Sequence, residues 1–247
     1  RWIQEQVEGQ SARVDIEDQR HILGRLNAAE ALEKFLATKY LGQKRFGLDY
    51  PSSVREVALE SGEVVRRRDV DARYFAEGLT IVGDRLWQLT WQEGVAFEYD
   101  LATFEPRREL HYEGEGWGLC LDTRGNRLIM SDGSSTLTFR DPATFEERGT
   151  VRVTRQGRGQ RMLNELECVD GVVYANVWQT EELVRIDPET GHVTAVIDAH
   201  GLLTQQDSLG ADVLNGIAYL PASQHFLITG KWWPAMFEVV FEPVAAN

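Results

Sequence analysis

The feature that most constrains this chain is a turn that recurs four times at nearly constant spacing. Ala58-Leu-Glu-Ser-Gly62, Asp100-Leu-Ala-Thr-Phe104, Asp141-Pro-Ala-Thr-Phe145 and Asp187-Pro-Glu-Thr-Gly191 start 42, 41 and 46 residues apart. Each follows an alternating run such as Leu183-Val-Arg-Ile186 and precedes another such as His192-Val-Thr-Ala-Val196. A second marker runs in phase: Glu77-Gly-Leu79, Trp117-Gly-Leu119, Asn164-Glu-Leu166 and Asn215-Gly-Ile217. Four short strands per period of roughly 40 to 50 residues is the arithmetic of a propeller blade. A β-solenoid has much shorter coils, and a sandwich has no reason to repeat its turn chemistry in register. The chain is expected to be an all-β propeller.

The repeat does not reach the beginning. Residues 1–49 contain no proline, whereas all seven prolines stand at Pro51 or later. Ile22, Leu23, Leu26, Ala29, Leu32, Phe35, Leu36 and Tyr40 recur at helical spacing and so share one apolar face. Asp18 is a candidate cap and Gly42 a candidate stop. The expected division is a helical segment over 1–49, packed outside the sheets or against a gap in them, and a propeller domain over 50–247.

Composition narrows the function. A net charge of −13 argues against nucleic acid, because phosphate contacts need a basic surface. No apolar stretch is long enough for a membrane helix, and Arg1 to Gln10 is too polar to open a signal peptide. Cys120 and Cys168 sit in apolar runs, so buried free thiols are the expectation and a disulfide the alternative. His21, His111, His192, His200 and His225 show no metal-ligand spacing. Gly157-Arg-Gly159, with Arg155 and Arg161, reads as a mobile loop near the mouth of the channel.

In a propeller the first strand of each blade lies nearest the axis, and the loops at its ends surround one mouth. The residues that open those strands here are Glu77, Trp117, Asn164 and Asn215. A structural repeat would keep one residue type at such a place. Four side chains of three different types aimed at one funnel point to a binding site.

Several ordered stretches carry a resemblance. They are Ser52-Ser-Val-Arg55, Tyr74-Phe-Ala-Glu-Gly-Leu-Thr80, Tyr99-Asp100, Gly116-Trp-Gly-Leu119, Ser131-Asp-Gly133, Leu163-Asn-Glu-Leu-Glu167, Ala175-Asn-Val-Trp-Gln179, Asp212-Val-Leu-Asn-Gly-Ile217 and Thr229-Gly-Lys231. From about Ser52 to Val244 the chain resembles the bacterial and plant glutaminyl-peptide cyclotransferases, which are five-bladed propellers. Ala76 stands where that family usually has glycine. The family's blade-one segment, Phe-Thr-Gln-Gly, is not found, so the first blade is expected to be incomplete and to start at its outer half, Ser53-Val-Arg-Glu-Val57. Leu26-Asn-Ala-Ala-Glu30 and Lys39-Tyr-Leu-Gly-Gln-Lys-Arg-Phe46 instead resemble a fragment of the E1 subunit of 2-oxoglutarate dehydrogenase.

The resemblance implies conversion of an N-terminal glutaminyl residue to pyroglutamyl with release of ammonia. It implies Glu77 as general base and acid, Lys231 as the charge that polarises a carbonyl, and Asn164 as the residue that holds the substrate amide. Phe75, Trp91, Trp117 and Trp178 would form an aromatic pocket, with Asn215 beside it. Trp232 and Trp233 are assigned to packing. Partners are peptides or proteins beginning with Gln, and the chain is expected to be a monomer in a periplasmic or extracellular setting. No cofactor is required; a structural metal ion stays open. The competing readings are an inactive or peptide-binding propeller and, more weakly, a docking piece related to the dehydrogenase.

Overall fold

A computed structural model of the chain describes residues 2–7, 10–15, 52–59 and 61–244. Each period of the repeat becomes one antiparallel sheet. The strands β1 (Trp2–Val7) and β2 (Gln10–Asp15) come first, followed by a two-stranded ribbon, β3 (Ser53–Val57) and β4 (Val64–Asp69). One blade contains β5 (Ala76–Val82), β6 (Arg85–Thr90), β7 (Val95–Asp100) and β8 (Pro106–His111). The next contains β9 (Leu119–Asp122), β10 (Arg127–Ser131), β11 (Thr136–Arg140) and β12 (Glu147–Arg152). A short hairpin, β13 (Thr154–Arg155) and β14 (Arg158–Gly159), leads to β15 (Leu163–Val169), β16 (Val172–Val177), β17 (Glu182–Ile186) and β18 (Val193–Asp198). The last blade has β19 (Leu214–Leu220), β20 (His225–Gly230) and β21 (Phe237–Val244). The inner strands β5, β9, β15 and β19 lie side by side in that order, so four blades are arranged in a ring. Among the described residues no helix is long and apolar enough to cross a membrane.

The recurring turn joins the third and fourth strands of a blade. In all four copies the fifth residue donates its N–H to the carbonyl of the first at 2.8 Å. That fifth residue has positive φ every time: 70° at Gly62, 60° at Phe104, 65° at Phe145 and 71° at Gly191. The aspartate side chain turns back on the backbone, with Asp141 Oδ1 accepting from the N–H groups of Ala143 at 2.7 Å and Thr144 at 2.8 Å. A left-handed conformation costs a phenylalanine roughly 1–2 kcal/mol. Burial of its ring returns roughly 1.5–3 kcal/mol. Phe104 and Phe145 are both buried, and Phe145 stacks on Trp87 with centroids 5.0 Å apart, so burial wins. The Ala58–Gly62 turn marks β3 and β4 as the outer pair of a blade.

The apolar cores lie between neighbouring blades, as facing sheets require. Trp87 and Leu89 meet Leu128, Met130 and Phe145 across the first such interface. Ile129 and Leu137 meet Val173, Ala175 and Val184 across the second. Leu183 and Ile197 meet Ile217, Phe226 and Ile228 across the third. Val54 of β3 packs against Leu86, Tyr99 and Phe104, which seats the ribbon on the β5–β8 blade.

Three expectations need correction. Residues 2–7 and 10–15 are strands inside the sheets, not part of a helical segment outside them. β2 pairs with β21 from Ser11↔Val244 to Asp15↔Val240, in the place of that blade's fourth strand, and β1 pairs with β18 at Glu5↔Ile197 and Gln6↔Val196. The result is a nine-stranded sheet in which the edges of β18 and β21 are covered; an uncovered edge would leave a row of unpaired N–H and C=O groups. The helix expected across Ile22–Tyr40 lies outside the described residues. Second, Cys120 and Cys168 form a disulfide, with Cα atoms 5.5 Å apart. They stand on β9 and β15, neighbouring inner strands one blade apart, a proximity that apolar surroundings alone do not reveal. Closing a loop of 48 residues is worth about 4 kcal/mol on the chain-entropy model. Third, the segment around Gly157 is the two-stranded β13–β14 hairpin and not an irregular loop, with Arg155 paired to Glu182 at 2.8 Å.

Candidate active site

A bulge interrupts three of the inner strands at the same point. The register shifts between Ala76 and Leu79, between Leu163 and Leu166, and between Leu214 and Ile217. The irregularity therefore falls on Glu77–Gly78, Asn164–Glu165 and Asn215–Gly216, the second marker of the repeat. A bulge re-aims a side chain at the end of a strand, which is what a site at the mouth of a channel needs.

Hydrogen bonds then link these points around one rim. Gly78 N–H donates to Trp117 O at 2.8 Å. Gly118 N–H donates to Ser131 Oγ at 2.8 Å, and Ser131 Oγ–H donates to Asn164 O at 2.6 Å. Glu165 N–H donates to Asn215 Oδ1 at 3.3 Å. Glu77, Trp117, Asn164 and Asn215 thus follow one another from blade to blade. The glycines permit it: a Cβ on Gly118 would stand 2.0 Å from Asn164 O, and one on Gly78 2.7 Å from the Gly118 carbonyl carbon.

The other expected residues flank the same rim. Phe75 precedes β5 and Trp91 follows β6, with Trp91 N–H donating to Phe75 O at 2.8 Å. Trp178 follows β16, and Lys231 follows β20, whose last residue, Gly230, is opposite Leu214 at the start of β19. Lys231 N–H donates to Val213 O at 2.8 Å. Glu77 and Lys231 are therefore at one mouth. Glu77, Asn164, Asn215 and Lys231 have exposures of 6 %, 5 %, 0 % and 8 %, a concentration of buried polar groups that core packing does not call for. Met162, Gln179 and Trp232, beside these residues, hold positive φ of 64°, 66° and 60°; such strain gathers at functional sites. Trp233, by contrast, packs against the last core, its Nε1–H donating to Asp212 O at 2.8 Å.

The aromatic residues form two edge-to-face pairs. Phe75 and Trp91 have centroids 5.7 Å apart, and Trp117 and Trp178 5.4 Å apart. The residue that joins the pairs, Glu115, was not foreseen. Its Oε2 accepts from Trp91 Nε1–H and from Trp117 Nε1–H, both at 2.8 Å, while Oε1 accepts from Gln92 at 3.1 Å. Burial pulls this carboxyl upward, but the bonds from Trp117, Gln92 and Trp91 outweigh it and hold it below the ordinary carboxylate range. In the linear sequence nothing separates Glu115 from its exposed neighbour Glu113, because its partners come from two blades. Ser131, which bridges rim positions, was visible only as part of a family phrase.

A rim on which a buried carboxylate, a buried ammonium and four aromatic rings come from different blades is suited to a small polar substrate. Comparison with known proteins shows the family. The glutamine cyclotransferase family model matches residues 44–241. The chain belongs to the glutamine cyclotransferase family. It is 39 % identical over 205 residues to the glutaminyl-peptide cyclotransferase of Arabidopsis thaliana, covering 81 % of this chain and 63 % of that enzyme. The crystal structure of the Myxococcus xanthus glutaminyl cyclase superposes with a TM-score of 0.70 at 41 % identity, covering 78 % of this chain and 84 % of that one. A separate short stretch of 51 residues is 53 % identical to the 2-oxoglutarate dehydrogenase E1 component of Cupriavidus necator, 20 % of this chain and 5 % of that enzyme. The family assignment thus extends to a few residues before Ser52, where the resemblance was first drawn.

Proposed function

We propose that the chain converts the N-terminal glutamine of peptides to pyroglutamate. The observation that carries this reading is the placement of Glu77 and Lys231, both buried, at one rim with the tryptophans. The substrate's α-amine nitrogen forms a bond to its own γ-carboxamide carbon, and the bond from that carbon to the amide nitrogen breaks. Glu77 takes the proton released by the amine and returns it to the departing nitrogen, which leaves as ammonia. An α-amine has a pKa of roughly 8, so a carboxylate has little to do beyond holding and moving one proton. Lys231 stabilises the negative charge that gathers on the carboxamide oxygen. Asn164 holds the substrate amide against Glu77, with Asn215 setting the neighbouring backbone. Phe75, Trp91, Trp117 and Trp178 fold the uncharged side chain over the amine, and this proximity supplies much of the rate. The step balances without a metal, a cofactor or a covalent intermediate. The disulfide supports an oxidising compartment, periplasmic or extracellular.

Incubation with a Gln-initiated dipeptide, read by intact mass and ammonia release, tests the reading. Time-dependent loss of ammonia from the Gln peptide, and not from an Asn-initiated control, is expected. A peptide-binding propeller without turnover is the second reading. It is favoured by the β3–β4 ribbon, which has only two strands among the described residues. Binding of the Gln peptide with no ammonia released would establish that alternative.

A further inference from the structure

The rim tryptophans stand on different blades, and a pocket wall made this way works only if something sets their mutual orientation. Trp91 follows β6 of one blade, whereas Trp117 opens the inner strand of the next. Glu115 lies on the connection between these blades, two residues before Trp117. One of its oxygens receives both indole N–H groups at 2.8 Å, and the other receives Gln92 at 3.1 Å. All three donors are neutral, and among the described residues no cation pairs with Glu115. A surface carboxylate tied only for stability would more commonly meet an arginine, as Asp141 meets Arg148. An indole has a single donor, so a bond to that nitrogen fixes how the ring is turned. Charged acceptors hold such donors about twice as strongly as neutral ones. Trp91 touches Phe75 and Trp117 touches Trp178, so fixing two rings restrains four.

We propose that Glu115 is a positioning residue: its carboxylate clamps the indoles of Trp91 and Trp117 across two blades and thereby sets the aromatic wall against which the substrate side chain is held. The consequence for substrate rests on the cyclotransferase reading; the clamp itself does not. Glu115 touches rings, not reacting atoms, so its loss acts on substrate binding before it acts on the chemical step.

The test uses the full chain labelled with ¹⁵N at the indole nitrogen. The Trp91 and Trp117 Nε1–H resonances are assigned by their disappearance in Trp91→Phe and Trp117→Phe. Glu115→Gln keeps the size of the side chain but replaces one acceptor oxygen with an N–H donor. It is expected to shift both resonances and speed their exchange with solvent. In the wild type both should move together on acidification, as Glu115 protonates below the ordinary carboxylate range, and this movement should vanish in the variant. In the peptide assay KM should rise roughly tenfold while kcat changes by less than about threefold, the pattern of lost binding. Glu113→Gln, which removes the same charge from an exposed neighbour, should leave the resonances and KM unchanged. Indole resonances that ignore Glu115→Gln overturn the proposal. So does a KM that stays at the wild-type value while the resonances move, since the wall then does not depend on the clamp. If the wild type releases no ammonia, the functional reading falls and the resonances alone decide the clamp.

Discussion

The two ends of each blade obey different rules. At the outer turn three of the four copies keep the same residues: an aspartate whose carboxylate folds back on the backbone, a threonine, then Phe or Gly in the left-handed conformation. At the rim a bulge recurs in three of the four inner strands and hydrogen bonds join one blade to the next, but the side chains are Glu77, Trp117, Asn164 and Asn215. The turn end answers to one requirement, reversal of the chain, which has one good solution. On the proposed reading the rim end answers to a substrate approached from four blades, which contribute three kinds of side chain: Glu, Trp and Asn.

Substitutions at the two ends should separate activity from stability. The largest effect is expected at the rim. Glu77→Gln preserves the size of the side chain and removes proton transfer, which is worth about 10²- to 10⁴-fold in kcat. The melting temperature and peptide affinity should stay near those of the wild type; unchanged turnover would remove Glu77 from the mechanism. At the turn end, Phe145→Ala empties a buried site against Trp87 and should cost about 3–5 kcal/mol in urea unfolding. Turnover per folded molecule should hold. A loss of kcat in folded Phe145→Ala would show that the two ends are coupled and the division above too sharp.

The smallest effect should come from the turn aspartate. Hydrogen bonds from the Thr144 and Ala143 N–H groups, aided by Arg148, hold the Asp141 carboxyl below its ordinary value. A carboxyl lowered in the folded state stabilises at pH above its unfolded value and loses that contribution as pH falls toward the folded one. Asp141→Ala should therefore cost roughly 0.5–1.5 kcal/mol at neutral pH through the lost hydrogen bonds, less whatever solvent screens. The gap from wild type should narrow on acidification below the ordinary carboxylate range. A gap independent of pH would mean that the charge of Asp141 plays no part in the turn.

Much of this was readable from residue order. The periodic turns mark the ends of β3, β7, β11 and β17, and three of the four copies of the second marker fall on the bulged rim positions. Helical spacing over Ile22–Tyr40 said nothing about Trp2–Val7 and Gln10–Asp15, which pair with strands that hold Val196–Ile197 and Val240–Val244 near the far end of the sequence. Cys120 and Cys168 looked like two small buried hydrophobes because their neighbours in the chain are apolar; their partnership depends on β9 lying beside β15. Glu115 looked like any acid between two glycines.

The division follows from the range of the forces involved. Turn chemistry and strand alternation are satisfied within a few residues, so the sequence by itself determined the blade, its repeat and the places where unlike side chains meet the axis. The strand that fills the last blade, the bond between neighbouring inner strands and the carboxylate that receives two indoles each need groups from different periods of the repeat. Those partners become neighbours only when the blades close into a ring, and only the tertiary structure decided them.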